Sequence, residues 1–178
     1  MKIAIMQPYL FPYIGYFQLI NYVDQFIIYD DVNYIKKGWI NINRILLDNQ
    51  PFLITLPLSG ASQNRLINEI EIVPNQKEKI KLFKTISQSY KKAPFFYDVI
   101  HLLEDSIITE EVNLTKFILN SLNSILDYLG LENNLKLSSE IQKDHDLNAQ
   151  HKIIEICKKV NSQEYINPIG GINLYNKE

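Results

Sequence analysis

Two apolar runs, separated by a polar turn and an amphipathic stretch, open the chain. Ile3-Ala4-Ile5-Met6 is continuously apolar, as a strand covered on both faces is, and it stops at the polar turn Gln7 to Tyr16. Tyr13 to Tyr22 has no internal proline and sets Phe17, Ile20 and Tyr22 near helical spacing, which predicts a helix. Gln25-Phe26-Ile27-Ile28-Tyr29 is a second buried strand by pattern, and it ends at Asp30-Asp31. Strand, turn, helix, strand, with polar groups at both strand ends, is the layout of a ligand crevice in an open α/β sheet.

The pattern then shortens. Trp39 to Leu47 alternates apolar and polar, with Trp39, Asn41 and Asn43 on one parity, and predicts a strand with one polar face. Asp48-Asn49-Gln50-Pro51 is a turn by composition, Phe52 to Leu56 a strand, and Ile70 to Val73 another short one. Beyond Asn75 the period becomes helical. Asn75 to Lys91 carries Ile80, Phe83 and Ile86, with its lysines expected on the opposite face. Phe95 to Glu104 predicts a helix after Pro94. Asn113 to Leu129 has the longest stripe, Leu114 through Leu129, with Gly130 as its stop. Leu135 to Ser139 reads as a strand feeding a turn, Ala149 to Val160 as a last helix and Glu164 to Asn167 as a last strand. The expected fold is α/β: one three-layer domain over residues 1–178, with a mixed, partly parallel sheet, a Rossmann-like βα start and a helix-rich second half.

Composition narrows the function classes. With 178 residues and 46% hydrophobic content the chain can bury one sizeable core. A formal net charge of −2 gives no electrostatic reason to expect nucleic acid as a partner. The single cysteine, Cys157, rules out an internal disulfide and reads as the buried side of a helix. No apolar stretch is long enough to span a bilayer, and Gln7-Pro8 interrupts the N-terminal run too early for a signal peptide. The expected location is the cytoplasm.

Several groups of residues could carry chemistry. Asp30 and Asp31, at a strand end, are candidates for a metal ligand, an acceptor for a sugar hydroxyl, or a general base. Trp39 beside Asn41 and Asn43 offers an aromatic wall and two amides, which suits a sugar ring; Arg44 would grip a carboxylate or phosphate, with Lys36 nearby. The turn that contains Gln7, Tyr13 and Tyr16 could present Gln7 and backbone amides to a ligand. Its spacing is similar to a nucleotidylyltransferase loop, but those enzymes have histidine where Tyr13 and Tyr16 stand, and neutral tyrosine cannot replace imidazolium at a transferring phosphate. Ser138 and Ser139 after a strand could bind an anion, and His145 lies between two acidic residues that could activate it. No Cys/His cluster has zinc-ligand spacing, and there is no Walker loop or Gly-x-Gly-x-x-Gly fingerprint. No cofactor is expected; under a nucleotidylyltransferase-like alternative, Asp30 and Asp31 would hold Mg²⁺.

At Met6 to Phe17, Phe26 to Val32, Lys36 to Ile45, Leu56-Pro57, Ser138-Ser139-Glu140 and Tyr165 to Gly171 the chain resembles the WbqC-like family of bacterial O-antigen and surface-polysaccharide gene clusters. The family pattern has an arginine where Ile42 stands, and members commonly run past Glu178, so the resemblance implies a truncated chain. It also implies a setting, polysaccharide assembly, and a plausible activity. That activity is transfer of an acyl or aminoacyl group to a nucleotide-linked amino sugar, with Asp30 or Asp31 deprotonating the attacking amine. A non-catalytic protein of the same pathway, binding or scaffolding around the sugar nucleotide, is the rival expectation.

Overall fold

Alternation and run length decide which segments become strands. In the computed structural model, which describes residues 1–178 except 133, 145, 146, 148 and 175–178, the order is β1 (Lys2–Met6), α1 (Ile14–Tyr22), β2 (Gln25–Ile28), β3 (Ile42–Leu47), β4 (Gln50–Thr55), β5 (Leu58–Ser59), β6 (Glu71–Ile72), α2 (Gln76–Tyr90), α3 (Phe96–Ile107), α4 (Leu114–Leu129), β7 (Leu135–Leu137), α5 (Ala149–Lys159) and β8 (Glu164–Tyr165). The fold is α/β. Backbone contacts group the chain into two compact units. The first contains Met1–Gln7, Tyr13–Asp31 and Glu132–Glu178; the second contains Pro8–Pro12 and Val32–Leu131.

The first unit is built on the two apolar runs. β1 and β2 pair in parallel, Ile3 opposite Gln25 and Met6 opposite Ile28, and the sheet order is β7-β2-β1-β8. The described pairings of this sheet are all parallel, and the antiparallel pairs, β3 with β4 and β5 with β6, form separate ladders. Parallel and antiparallel pairing are therefore segregated, where the sequence suggested one mixed sheet. Ile3, Ile5, Ile27, Ile141, Ile153 and Ile156 form a buried cluster, with the helix α5 residues spaced three apart toward the sheet. Full burial of such a side chain contributes roughly 1.5–3 kcal/mol.

In the second unit the hairpin turn is only Asp48-Asn49, both with positive φ (49° and 61°), so Gln50 and Pro51 already belong to β4. Asp and Asn tolerate that left-handed geometry, which matches the twist of the flanking strands. β3 begins at Ile42, so Trp39 and Asn41 do not share a strand face with Asn43 as the alternation suggested. Asn75 and Asn113 cap α2 and α4 through their side-chain oxygens, and Gly130, at φ 64°, closes α4. Two details of phase differ from expectation. Leu129, placed on the buried stripe of α4, is exposed, and in α2 it is Ile80 that is exposed and Lys79 that is buried.

Candidate functional site

The carboxyl end of the parallel sheet has an unusual density of buried charge. Asp30 and Asp31 follow β2 directly and are 1% and 3% exposed. β7 lies beside β2, so the 3₁₀ turn that follows it, Ser138–Glu140, is delivered onto the two carboxylates. Asp30 Oδ1 accepts from the Ser139 backbone N–H at 2.9 Å and its Oδ2 from the Ser139 hydroxyl at 2.7 Å. Ser138 Oγ contacts Asp31 Oδ1 closely and stands 3.0 Å from Asp30 Oδ1. One hydroxyl proton serves only one of them at a time.

Asp31 is held by two lysines. Its Oδ2 meets no hydrogen-bond donor in good angular geometry, yet it lies 2.7 Å from Lys143 Nζ and 3.4 Å from Lys152 Nζ. Lys143 also donates to the Ser138 and Ile141 carbonyls, Lys152 to the Asp31 carbonyl at 2.7 Å, and the Lys152 ammonium stands 5.8 Å from the Tyr29 ring centroid. Burial alone would raise the Asp31 pKa, but the Lys143 and Ser138 hydrogen bonds and the two ammonium charges outweigh it and hold the carboxyl below its ordinary value. Such a carboxylate is a poor proton acceptor. The position next to Oδ2, where a divalent ion would sit, is held by the Lys143 ammonium. Two carboxylates and two ammoniums form an internally neutral strut. Sequence reasoning found Asp30, Asp31, Ser138 and Ser139 but missed both lysines; the available signal was that acids ending a buried strand need a cationic partner.

A cavity opens at the same edge of the sheet. β1 leads through α1 to β2 on one side, whereas β8, which follows β7 and α5 in the chain, pairs with β1 on the other, so the strand order reverses between β1 and β8. That reversal is the topological switch point, where open α/β sheets bind ligands. The cavity there has a volume of about 360 Å³, in the range of small-molecule sites. Met6, Tyr13, Tyr16, Leu19 and Tyr22 line it from the first βα unit, and Ile166, Asn167 and Pro168 from beyond β8. Tyr16 is anchored: its hydroxyl donates to the Gln7 carbonyl at 3.1 Å, its ring lies 5.0 Å from that of Phe26, and burial pushes its pKa up. Gln7 thus contributes its backbone to the loop's anchorage. Asn167 and Pro168 were visible only as part of a sequence pattern, since nothing local joins them to the loop after β1.

Of the other predicted residues, Lys36, Trp39, Asn41, Asn43 and Arg44 lie in the second unit. Asn41 is buried, accepting from the Tyr34 hydroxyl at 2.7 Å and donating to the Leu56 carbonyl at 2.9 Å. Asn43 Nδ2 donates to the Leu10 and Phe11 carbonyls at 2.9 and 2.6 Å, bracing a turn in which Phe11 has φ 45°. Both amides therefore hold the fold. Trp39 is 46% exposed, with the Tyr9 ring 6.0 Å away and the Arg44 guanidinium 5.5 Å over its face. Lys36 is exposed, as are His101 and His151, and His145 lies outside the described residues. Among the described residues no group of three or more His, Cys, Asp or Glu comes together to hold a metal, and no helix is long and apolar enough to cross a membrane.

The model of the WbqC-like protein family matches residues 7–178, so the match takes in the loops after β1 and β8, the Asp30–Asp31 end of β2 and the Trp39–Arg44 segment. The chain belongs to the WbqC-like protein family. It is also similar to the uncharacterized protein Rv1507c of Mycobacterium tuberculosis, with 31% identity over 169 residues, which span 93% of this chain and 71% of that protein. No solved structure matches the chain.

Proposed function

We propose that this protein is a transferase acting on a nucleotide-activated amino sugar in surface-polysaccharide assembly, with an acyl or aminoacyl group as the transferred moiety. The observation that carries the reading is the cavity at the switch point, of a size for an organic ligand and walled by the loops after β1 and β8. Resemblance to a family of polysaccharide gene clusters supports the same ligand class. Asp30 and Asp31 take a different part in this reading from the one their position first suggests. Bonded to Ser138, Ser139, Lys143 and Lys152, they tie the end of β2 to the segments after β7 and do not supply the base.

That internal pairing favours one second reading, a non-catalytic protein that binds the same activated sugar. Incubating the protein with nucleotide-linked amino sugars and acyl or aminoacyl donors, with mass spectrometry of the sugar product, separates the two. Transfer predicts a product heavier by the acyl or aminoacyl group, formed equally in Mg²⁺ and in EDTA. Binding without product establishes the second reading, and product that requires Mg²⁺ overturns the metal-free assignment at Asp31.

A further inference from the structure

Two walls of the cavity are seated on glycines. A Cβ at Gly15 would stand 2.3 Å from Cε2 of Tyr13 and 3.0 Å from its Cζ, so the ring lies across the first turn of α1 at a distance only a hydrogen permits. A Cβ at Gly171 would stand 1.9 Å from Nδ2 of Asn167, so that amide is folded over the backbone in the same manner. Tyr13 is nonetheless 59% exposed. An exposed ring and an amide packed on glycine backbone, both in the lining, give the cavity a flat side and a donor–acceptor pair, to which the Gln18 amide adds a second.

The remaining chemistry of the cavity selects among the parts of a nucleotide sugar. Its described lining residues include no Asp, Glu, Lys or Arg. A phosphate placed there would meet no cation in the lining, since the Lys2 ammonium is stacked on the Tyr22 ring, 4.8 Å from its centroid, and a sugar ring would have the Gln18 and Asn167 amides but set its other hydroxyls against Met6, Leu19, Ile166 and Pro168. A neutral planar heterocycle fits: its face stacks on Tyr13 and its polar edge meets the Asn167 amide, which offers a donor and an acceptor together. We infer that the switch-point cavity holds the nucleobase of the nucleotide-linked amino sugar, with Gly15 and Gly171 as the residues that permit its two reading walls. The inference rests on the proposed ligand being nucleotide-linked and goes beyond it in naming which part enters.

Saturation-transfer NMR on the full chain with uridine, cytidine, thymidine, adenosine and guanosine, and with glucosamine 1-phosphate as the base-free probe, tests it. The expected result is binding of at least one nucleoside, with its base protons saturated most strongly. Tyr13→Ala and Gly15→Ala should each weaken that binding about tenfold or more, an effect of ~1.4 kcal/mol on affinity, while Tyr13→Phe retains it. Circular dichroism of each variant establishes that it is folded. Three results overturn the inference: no nucleoside binds, glucosamine 1-phosphate displaces the bound nucleoside, or nucleoside binding ignores both Tyr13→Ala and Gly15→Ala. The two proposals fail separately. Base binding without turnover removes the transferase and leaves the base pocket, whereas turnover of a nucleotide-linked amino sugar that Tyr13→Ala and Gly15→Ala leave unchanged removes the pocket and leaves the transferase.

Discussion

Each compact unit buries lysine ammonium groups, and each solvates them differently. In the first unit Lys143 and Lys152 face the Asp31 carboxylate, at 2.7 and 3.4 Å. In the second, Lys79 is 4% exposed and donates only to backbone carbonyls, those of Thr109 and Glu111, with its ammonium 5.8 Å from the Phe117 ring centroid. The consequences at neutral pH are opposite. Asp31 is held below its ordinary 3.8, so its ionised form is favoured by folding. Burial makes the Lys79 ammonium easier to deprotonate than the ordinary 10.5, and the nearby Glu110 and Glu111 charges only partly offset it. A carboxylate partner keeps the buried charged form favoured; carbonyl dipoles alone leave part of the desolvation penalty standing.

The largest effect that can break this contrast is at Asp31. Asp31→Asn keeps the volume but leaves two buried ammoniums facing a neutral amide, which should lower stability by about 3–5 kcal/mol. Against a total of roughly 5–15 kcal/mol for a protein of this kind, urea unfolding should register it as a large fall in midpoint. The pH dependence has a definite sign. Because the folded carboxyl titrates below 3.8, the unfolded chain binds more protons in that window, so stability falls as the pH drops through the folded value. Asp31→Asn should flatten that acid limb. A loss under about 1 kcal/mol would mean that the cluster is screened like a surface ion pair, and the contrast with Lys79 would disappear.

Lys79→Met is the smaller probe. It retains the apolar stem but strips the donors from the Thr109 and Glu111 carbonyls, at about 1–2 kcal/mol, with relief of the ammonium's desolvation as a partial offset. Folding lowers the Lys79 pKa, so the unfolded lysine holds its proton to higher pH and wild-type stability should rise across the window beneath 10.5. Urea unfolding at neutral and at alkaline pH should therefore show the Met variant's deficit widening as pH rises. A deficit that shrinks instead would show that the carbonyls stabilise the ammonium outright.

These clusters also mark where sequence reading stops. The strands β1 and β2, helix α4 and its Gly130 stop follow from local spacing and were legible as such. Lys79 was not: sorting α2 by charge puts a lysine outside, whereas its partners are carbonyls 30 and 32 residues away that carry no sequence signature. Asp30 and Asp31 were legible as a polar strand end, but Ser138 and Lys152 reach them from 107 and 121 residues along the chain. The cavity was half legible. Tyr13 and Tyr16 stand out in the loop after β1, while Asn167 joins them only through the parallel pairing of β1 with β8. Asn41 and Asn43 were misread for a related reason, since an amide that braces a turn and one that faces solvent look alike in the sequence.

Arg44 completes the series as a cation that is exposed, and it gives the smallest expected change in stability. Its guanidinium stacks over Trp39 in a wet setting, where such a contact contributes about 0.5–1 kcal/mol. Arg44→Ala should thus shift the urea midpoint least of the three variants. Its value lies in separating stability from recognition. If the Trp39–Arg44 platform by itself grips a carboxylate or phosphate, the same substitution should weaken binding of glucosamine 1-phosphate by roughly tenfold, measured by calorimetry, with the fold intact. Unchanged affinity would assign the platform to the surface alone. A cation whose removal barely affects folding yet weakens binding is one whose chemistry serves a ligand, which that of the buried lysines, committed to Asp31 and to the carbonyls, does not.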